Sequence, residues 1–202
     1  MTQKEFESTL SRLSDIHEIT NLQGRYNHLI VTNNFEAVVD MFAKKDPNVK
    51  AEIADGGVYE GVQGIKKLFL KGVETKHRGR GGLGLQMLLT PVIEVSRDGK
   101  TAKGMWHTFG CHTLRNETGP YAVWSQGKYD NEFVKEDGKW KILSLHWYVN
   151  FATPFDEGWV KKPFVGSATQ AEAEPDKPST YHMPYNVDAF NPYLPPPPEP
   201  IK

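Results

Sequence analysis

Apolar residues in the first part of the chain recur in steps of three and four. Leu10, Leu13, Ile16, Ile19, Leu22, Tyr26, Leu29 and Ile30 form one stripe over residues 4–32, which predicts an amphipathic helix or two helices in sequence, with Ser14 and Asp15 as cap candidates for the second. A further helix is expected over 34–42, with Phe35, Val38, Val39 and Phe42 on one side, and Asp46-Pro47 ends it. Residues 49–61, VKAEIADGGVYEG, read as a short hairpin around Asp55-Gly56-Gly57. Residues 62–76 return to helical spacing through Ile65, Leu68, Phe69 and Val73.

From residue 85 the period falls to two. LQMLLTPVIEVS, TAKGMWHTFGCHTLR, YAVWSQGKYDNEFVK and KWKILSLHWYVNF are strand-like runs separated by RDG, NETGP and EDG, the pattern of an antiparallel meander. Helices first and a long antiparallel sheet afterwards predict an α+β domain with helices on one face of a curved sheet. No βαβ alternation supports a dinucleotide fold. The loop RGRGGLGLQ (78–86) follows no strand and lacks GxxxxGK(S/T), so it reads as a pocket lid rather than a phosphate cradle.

Composition divides the chain. Residues 1–165 carry the periodic patterns; from Gly166 to Lys202 a tail rich in Pro, Ala and Glu has none, and Tyr181, Tyr185, Phe190 and Tyr193 are expected to pack it on the domain or on a neighbouring subunit. Lys plus Arg number 24 against 25 Asp plus Glu, which gives no electrostatic reason to expect nucleic acid or an anionic membrane as partner. The single cysteine, Cys111, excludes an internal disulfide and argues against a thiolate metal site. MTQKEFESTLSRL has no apolar core like that of a signal peptide, and no run approaches the roughly 20 apolar residues of a membrane span, so a cytoplasmic location is expected.

The hairpin KYDNEFVKEDGKWKILSLHW (128–147) carries the candidate chemistry. A two-residue turn at Asp137-Gly138 sets Glu136 against Lys139, and by subtraction Phe133 against Ile142, Asn131 against Ser144 and Tyr129 against His146, all with Trp140 on one face. That face grades from apolar to polar, which suits a pocket wall. A β-bulge would reverse the facing beyond it. The opposite face pairs Lys128 with Trp147, Asp130 with Leu145 and Glu132 with Leu143, a mixed surface suited to solvent or to another subunit.

In TAKGMWHTFGCHTLR, His107 shares its alternation with Met105, Phe109 and Cys111, and His112 with Trp106, Thr108 and Gly110. An imidazole among apolar neighbours stays neutral and can accept a proton near pH 7, which favours His107 as the inward residue. His17, His77 and His182 fall in a helix, a loop and the tail and are set aside. His107, His112 and His146 show no HxH, HExxH or facial-carboxylate arrangement, so no metal is expected, and no GxSxG elbow marks a serine hydrolase.

The helix ITNLQGRYNHLI, the sheet signature GKYDNEFVKEDGKWKI and the following VNFATPFDEGW together resemble the SnoaL-like branch of the nuclear transport factor 2-like superfamily over roughly residues 10–160. The resemblance implies a cone-shaped α+β barrel whose curved sheet encloses a pocket behind the N-terminal helices, with Tyr26, Tyr129, Asn131, Phe133, Ser144 and His146 toward it. Family members include cofactor-independent dehydratases, dehydrochlorinases, isomerases, aldol-type cyclases and lyases, and proteins with no catalytic role. Several of the eliminating enzymes pair a helix aspartate with a strand histidine. Alignment on Ile19–Tyr26 puts Val31 at the aspartate position and Gln86 near the histidine position, so that pair is absent here, while Tyr26 matches a position that carries tyrosine or lysine.

The expected function is a lyase, dehydratase or isomerase without cofactor or metal, acting by elimination or retro-aldol cleavage on a small hydrophobic, aromatic molecule. His107 or His146 would remove a proton, and Tyr26 and Tyr129 would donate to the oxygen that gains charge. Gln86, Asn131, Phe133, Ser144, Trp106 and Trp124 would line or orient the substrate. Related enzymes acting on lignin-type diaryl compounds make the retro-aldol reaction worth testing. The alternatives are a non-catalytic protein that holds a hydrophobic ligand in the same pocket and an interaction module whose outer face assembles subunits. A homodimer or homotrimer is expected.

Overall fold

Helix α1 (Gln3–Val31) runs unbroken where the sequence allowed two helices. Its start is fixed by a capping box: the Thr2 hydroxyl accepts from Glu5 N (3.2 Å) and the Glu5 carboxylate accepts from Thr2 N (2.7 Å). Asp15 is no cap. It is buried and accepts from Lys135 Nζ (2.5 Å) and Trp140 Nε1 (2.8 Å), which ties the helix to the turn end of the long hairpin. The helix buries Ile19, Gln23 and Tyr26, whereas Phe6, Leu10 and Leu13 near its start stay exposed.

The computed structural model describes residues 1–73, 81–166, 173–193 and 195–200; part of the expected lid (78–80) and the end of the expected helix (74–76) lie outside them. After α1 come α2 (Phe35–Asp40), β1 (Lys50–Ile53), β2 (Val58–Glu60) and α3 (Gly61–Lys67), which runs on as a π-helical turn (Leu68–Val73). Strands β3 (Gly84–Val95), β4 (Thr101–Asn116), β5 (Gly119–Glu136) and β6 (Lys139–Pro154) follow, then a short α4 (Gly158–Lys161). The sheet order is β2-β1-β6-β5-β4-β3, six strands that curve around α1 without closing. All neighbours are antiparallel except β1 with β6. The inner face and the helices enclose a core that includes Ile19, Phe35, Phe42, Phe69, Phe133 and Ile142. No helix among the described residues is long and apolar enough to cross a membrane.

Register decides which side chains face inward. The β5–β6 turn has Asp137 at φ 50° and Gly138 at φ 75°, both left-handed as a type I′ turn requires, and Phe133 pairs with Ile142 as expected. One extra residue on β6, Leu143, then shifts the ladder. Glu132 pairs with Ser144, Asn131 with Leu145, Asp130 with His146 and Tyr129 with Trp147. Because side chains alternate, this bulge turns Ser144 and His146 to the outer face and brings Leu145 and Trp147 inward, the reverse of the simple subtraction. A second bulge on β3, between Leu89 and Val92, ends a stretch in which Leu85, Met87 and Leu89 point outward.

The tail crosses the outer face. Val58 N donates to Lys177 O (2.9 Å) and Asp176 N to Val58 O (2.9 Å), so the segment adds to the edge of β2. Pro175 occupies the space above Gly57, where a Cβ would meet it at 2.5 Å. The buried Glu52 accepts from Ser179 Oγ (2.6 Å), Thr180 N (2.7 Å) and Thr180 Oγ1 (2.6 Å). Further on, the buried Lys128 donates to the carbonyls of Tyr193 and Pro195. Of the tail aromatics, Tyr181 meets the Tyr148 ring (5.2 Å between centroids), whereas Phe190 is 91% exposed. The outer face of the hairpin expected to meet solvent or another subunit is therefore partly occupied by the chain's own C-terminal segment.

Candidate active site

Between α1 and the concave face of the sheet lies a cavity of about 80 Å³. Helix α1 supplies Tyr26, Asn27, Ile30 and Val31, one side of its last turns, and β1 supplies Ile53. The π-helical turn brings Phe69 and Val73 to the wall; its wider i to i+5 winding interrupts the regular rotation of α3 there. Gln86 of β3, His112 of β4, Tyr129 of β5 and Trp147 of β6 complete it. Gly84 pairs with His112 across the β3–β4 ladder, and both line the cavity.

The polar groups converge. Tyr129 Oη donates to Gln86 Oε1 (2.9 Å), and Asn27 Nδ2 donates to the Gln86 carbonyl, so backbone and side chain of Gln86 are both held. The Tyr26 and Tyr129 rings meet edge to face at 6.0 Å. Burial raises both phenols well above their ordinary value, so both remain protonated donors at neutral pH. His112 Nε2 lies 2.8 Å from the buried Ser125 hydroxyl, which can donate or accept and so suits either tautomer. No Asp, Glu, Lys or Arg lines the cavity among the described residues. Behind His112 and Trp147 a smaller cavity of about 40 Å³ runs under Phe164 and Ala152. The Trp147 indole stands between the two, and its Nε1 donates to Thr108 Oγ1 (2.9 Å).

The structure therefore brings together Tyr26, Tyr129 and Gln86 from the residues singled out in the sequence. It places the others elsewhere. His107 is exposed on the outer face, paired with Leu89 and Lys128, and does not line the cavity. His146 lies outside as well, stacked on Tyr148 (3.7 Å) with Nε2 3.6 Å from Glu52 Oε1. Burial lowers its pKa to about 4, Glu52 opposing that shift and Lys50 adding to it. Ser144 lines the same outer cleft. Asn131 and Phe133 do face inward but sit in the core: Asn131 donates to Gln23 Oε1 (2.8 Å), and Phe133 meets Trp106 edge to face at 6.1 Å. Trp124 is on the outer face between Phe109 and Phe155, with centroids at 5.2 and 5.5 Å.

The family profile described as a SnoaL-like domain matches residues 11–146. This chain is a SnoaL-like protein. It belongs with the nuclear transport factor 2-like folds, and solved structures show the same architecture. A protein provisionally described as a scytalone dehydratase, from Novosphingobium aromaticivorans DSM 12444, is 20% identical with a TM-score of 0.60, over 83% of this chain and 97% of that one. Hexachlorocyclohexane dehydrochlorinase LinA-type3 from Novosphingobium barchaimii LL02 is 18% identical at TM-score 0.61, over 73% and 94%. An NTF2-like protein with a cystatin-like fold from Novosphingobium aromaticivorans is 16% identical at TM-score 0.57, over 73% and 90%. At these identities the likeness carries the fold alone. No curated protein matches the sequence.

In this SnoaL-like chain Val31 and Gln86 both line the cavity, and His112 supplies an imidazole from a different strand. The sequence favours His107 over His112 because Met105, Phe109 and Cys111 make the His107 face look like the core face. The signal available was the shared parity of His112 with Trp106, Thr108 and Gly110, all three of which the structure buries.

Proposed function

We propose that this SnoaL-like protein is a cofactor-independent lyase or dehydratase that acts by general acid–base catalysis on a small hydrophobic, aromatic substrate. The observation that carries this reading is the convergence of one imidazole, two protonated phenols and an anchored amide in an otherwise apolar cavity.

His112 takes the proton, from carbon in an elimination or from a hydroxyl in a retro-aldol cleavage. In the first case the electron pair forms a C=C bond as the C–O bond breaks, and the departing hydroxide takes the proton back from His112 and leaves as water. In the second the O–H pair forms C=O as the adjacent C–C bond breaks, and that bond's pair stays on the departing carbon, which takes the proton back from His112. Ser125 holds the imidazole plane. Tyr26 and Tyr129 are donors for the substrate oxygen that gains charge, a service a buried phenol performs without reorganising water. The substrate oxygen would replace Gln86 Oε1 as the acceptor of the Tyr129 proton, and Gln86, anchored by Asn27, would turn its amide to the substrate. That the Tyr129 proton is already engaged favours a second reading, a pocket that holds a hydrophobic ligand without converting it.

A mass-spectrometric screen of metal-free, cofactor-free protein against hydroxylated aromatic and diaryl compounds tests the proposal. Products lighter by water or formaldehyde support it and identify the bond. Compounds that raise Tm and are recovered unchanged refute catalysis and leave the ligand-holding reading.

A further inference from the structure

Two irregularities of β6 aim Trp147 at the cavity. The extra residue at Leu143 turns Leu145, Trp147 and Val149 to the inner face, and the second bulge, after Val149, ends that stretch. From β6 the indole then crosses β5 to reach β4. Trp147 pairs with Tyr129, yet its Nε1 donates to Thr108 Oγ1 (2.9 Å), two strands and so roughly 10 Å away across the sheet. The β5 residue opposite Thr108 is Gly127, which has no side chain to stand in that path. Thr108 itself is 1% exposed, in a row with the buried Trp106 and Gly110, so its hydroxyl is a fixed acceptor.

The indole held in this way divides two chambers. On one side is the cavity of about 80 Å³ with Tyr26, Gln86 and Tyr129; on the other is the chamber of about 40 Å³, half that volume, walled by Val123, Val149, Ala152 and Phe164. A chamber lined mainly by apolar side chains gives water few partners, and a core packed to ordinary density would close it. It is reserve volume behind a single side chain.

We propose that Thr108 determines ligand specificity: by holding the Trp147 indole as a partition, its hydroxyl limits the length of the molecule that the cavity accepts. The inference rests on the reading of the cavity as a ligand pocket, in either of the two functions given above. With the partition in place the first chamber takes a single ring. A ligand with a second lobe has to push the indole aside, which breaks the bond to Thr108 and leaves a buried N–H without its acceptor. One neutral hydrogen bond biases such an equilibrium by up to roughly tenfold. The Tyr129 ring, 6.3 Å from the indole and tilted by 35°, adds a looser restraint than a stacked pair would. Because His112 lines both chambers, the partition also decides whether a ligand stays on one side of the imidazole or spans it. Thr108 acts only through Trp147 and is a positioning residue.

Isothermal titration of the full chain with phenol and with 4-phenylphenol tests this through the ratio of the two Kd values. Thr108→Val removes the hydroxyl at nearly constant volume and is expected to shift the ratio toward 4-phenylphenol by about threefold to tenfold. Thr108→Ser restores the acceptor and should keep the native ratio. Trp147→Phe has no N–H to hold, so it should shift the ratio as well, and adding Thr108→Val to it should change nothing further. Phenol binding with the same ratio in native and Thr108→Val protein overturns the partition and leaves the pocket reading standing; so does a Thr108→Ser protein that behaves like Thr108→Val. Binding of neither probe to any of these proteins removes the pocket reading along with the partition. Should Thr108→Val not fold, an unchanged ratio in Trp147→Phe overturns the proposal by itself.

Discussion

His146 gives the sharpest quantitative test of the register. Its imidazole sits against Tyr148 beneath the tail, with Lys50 and Glu52 of β1, Asp130 and Glu132 of β5 and Tyr181 of the tail around it. Burial lowers its pKa from 6.5 to about 4. The unfolded chain thus binds this proton at higher pH than the folded chain, so the neutral imidazole's contribution is complete above pH 6.5 and is lost as pH falls from there toward 4. Between pH 7.5 and 5.0 the loss is about 2 kcal/mol, from 1.36 kcal/mol per unit over the interval from 6.5 down to 5.0. That value already includes the opposing pull of the Glu52 carboxylate, which would be an ionic partner of a protonated His146. Urea unfolding of the native chain and of His146→Gln at the two pH values measures the difference, which includes the effect of losing the imidazole on its coupled neighbour Glu52. The variant should lose about 2 kcal/mol less than the native chain between them. Equal pH slopes in the two proteins would refute the placement of a buried, neutral His146 on the outer face.

Three further outcomes follow from the same structure. Glu52→Ala leaves the backbone N–H and hydroxyl of Thr180 without their acceptor, while the Ser179 hydroxyl keeps the Ala54 carbonyl (3.0 Å), and should cost about 1–3 kcal/mol in urea unfolding and expose the tail to limited proteolysis. Gly127→Ala puts a Cβ 2.1 Å from the Tyr148 carbonyl at the second β5–β6 bulge, and should destabilise by about 1–3 kcal/mol, read as a lower urea midpoint. Trp147→Ala joins the two cavities that the indole separates, so two-ring aromatic probes should raise Tm more in the variant than in the native chain, with one-ring probes as the control.

The fold was largely legible because period alone separates the elements: steps of three and four through Leu29 and Ile30, then alternation from Leu85 onward, broken at Asp137-Gly138 by a turn whose positive φ values suit those residues. The site was legible where a residue lies before any irregularity. Tyr26 follows the helix stripe, and Tyr129 and Gln86 keep the parity of their strands. His146 and Ser144 did not, because one extra residue at Leu143 is invisible to alternation and reverses the side chains from there to the second bulge after Val149. His107 was misplaced for a different reason. Apolar neighbours mark burial only when one face of a strand meets solvent, and here the outer face of β3 and β4 is apolar as well. The role of the tail was hidden in Glu52 and Lys128, two charged residues whose burial makes sense only with the carbonyls and hydroxyls of residues 179–195 against them.

The central claim is that His112, not His107 or His146, is the proton acceptor of the cavity. The most direct measurement compares the rate of product formation by His112→Ala, His107→Ala and His146→Ala on the first substrate the screen identifies. Loss of an acid–base group predicts a fall of about 10²-fold or more for His112→Ala, with circular dichroism unchanged and the other two variants within about threefold of native. A His112→Ala protein that keeps its rate, or a His107→Ala or His146→Ala protein that loses it while folded, would contradict the account.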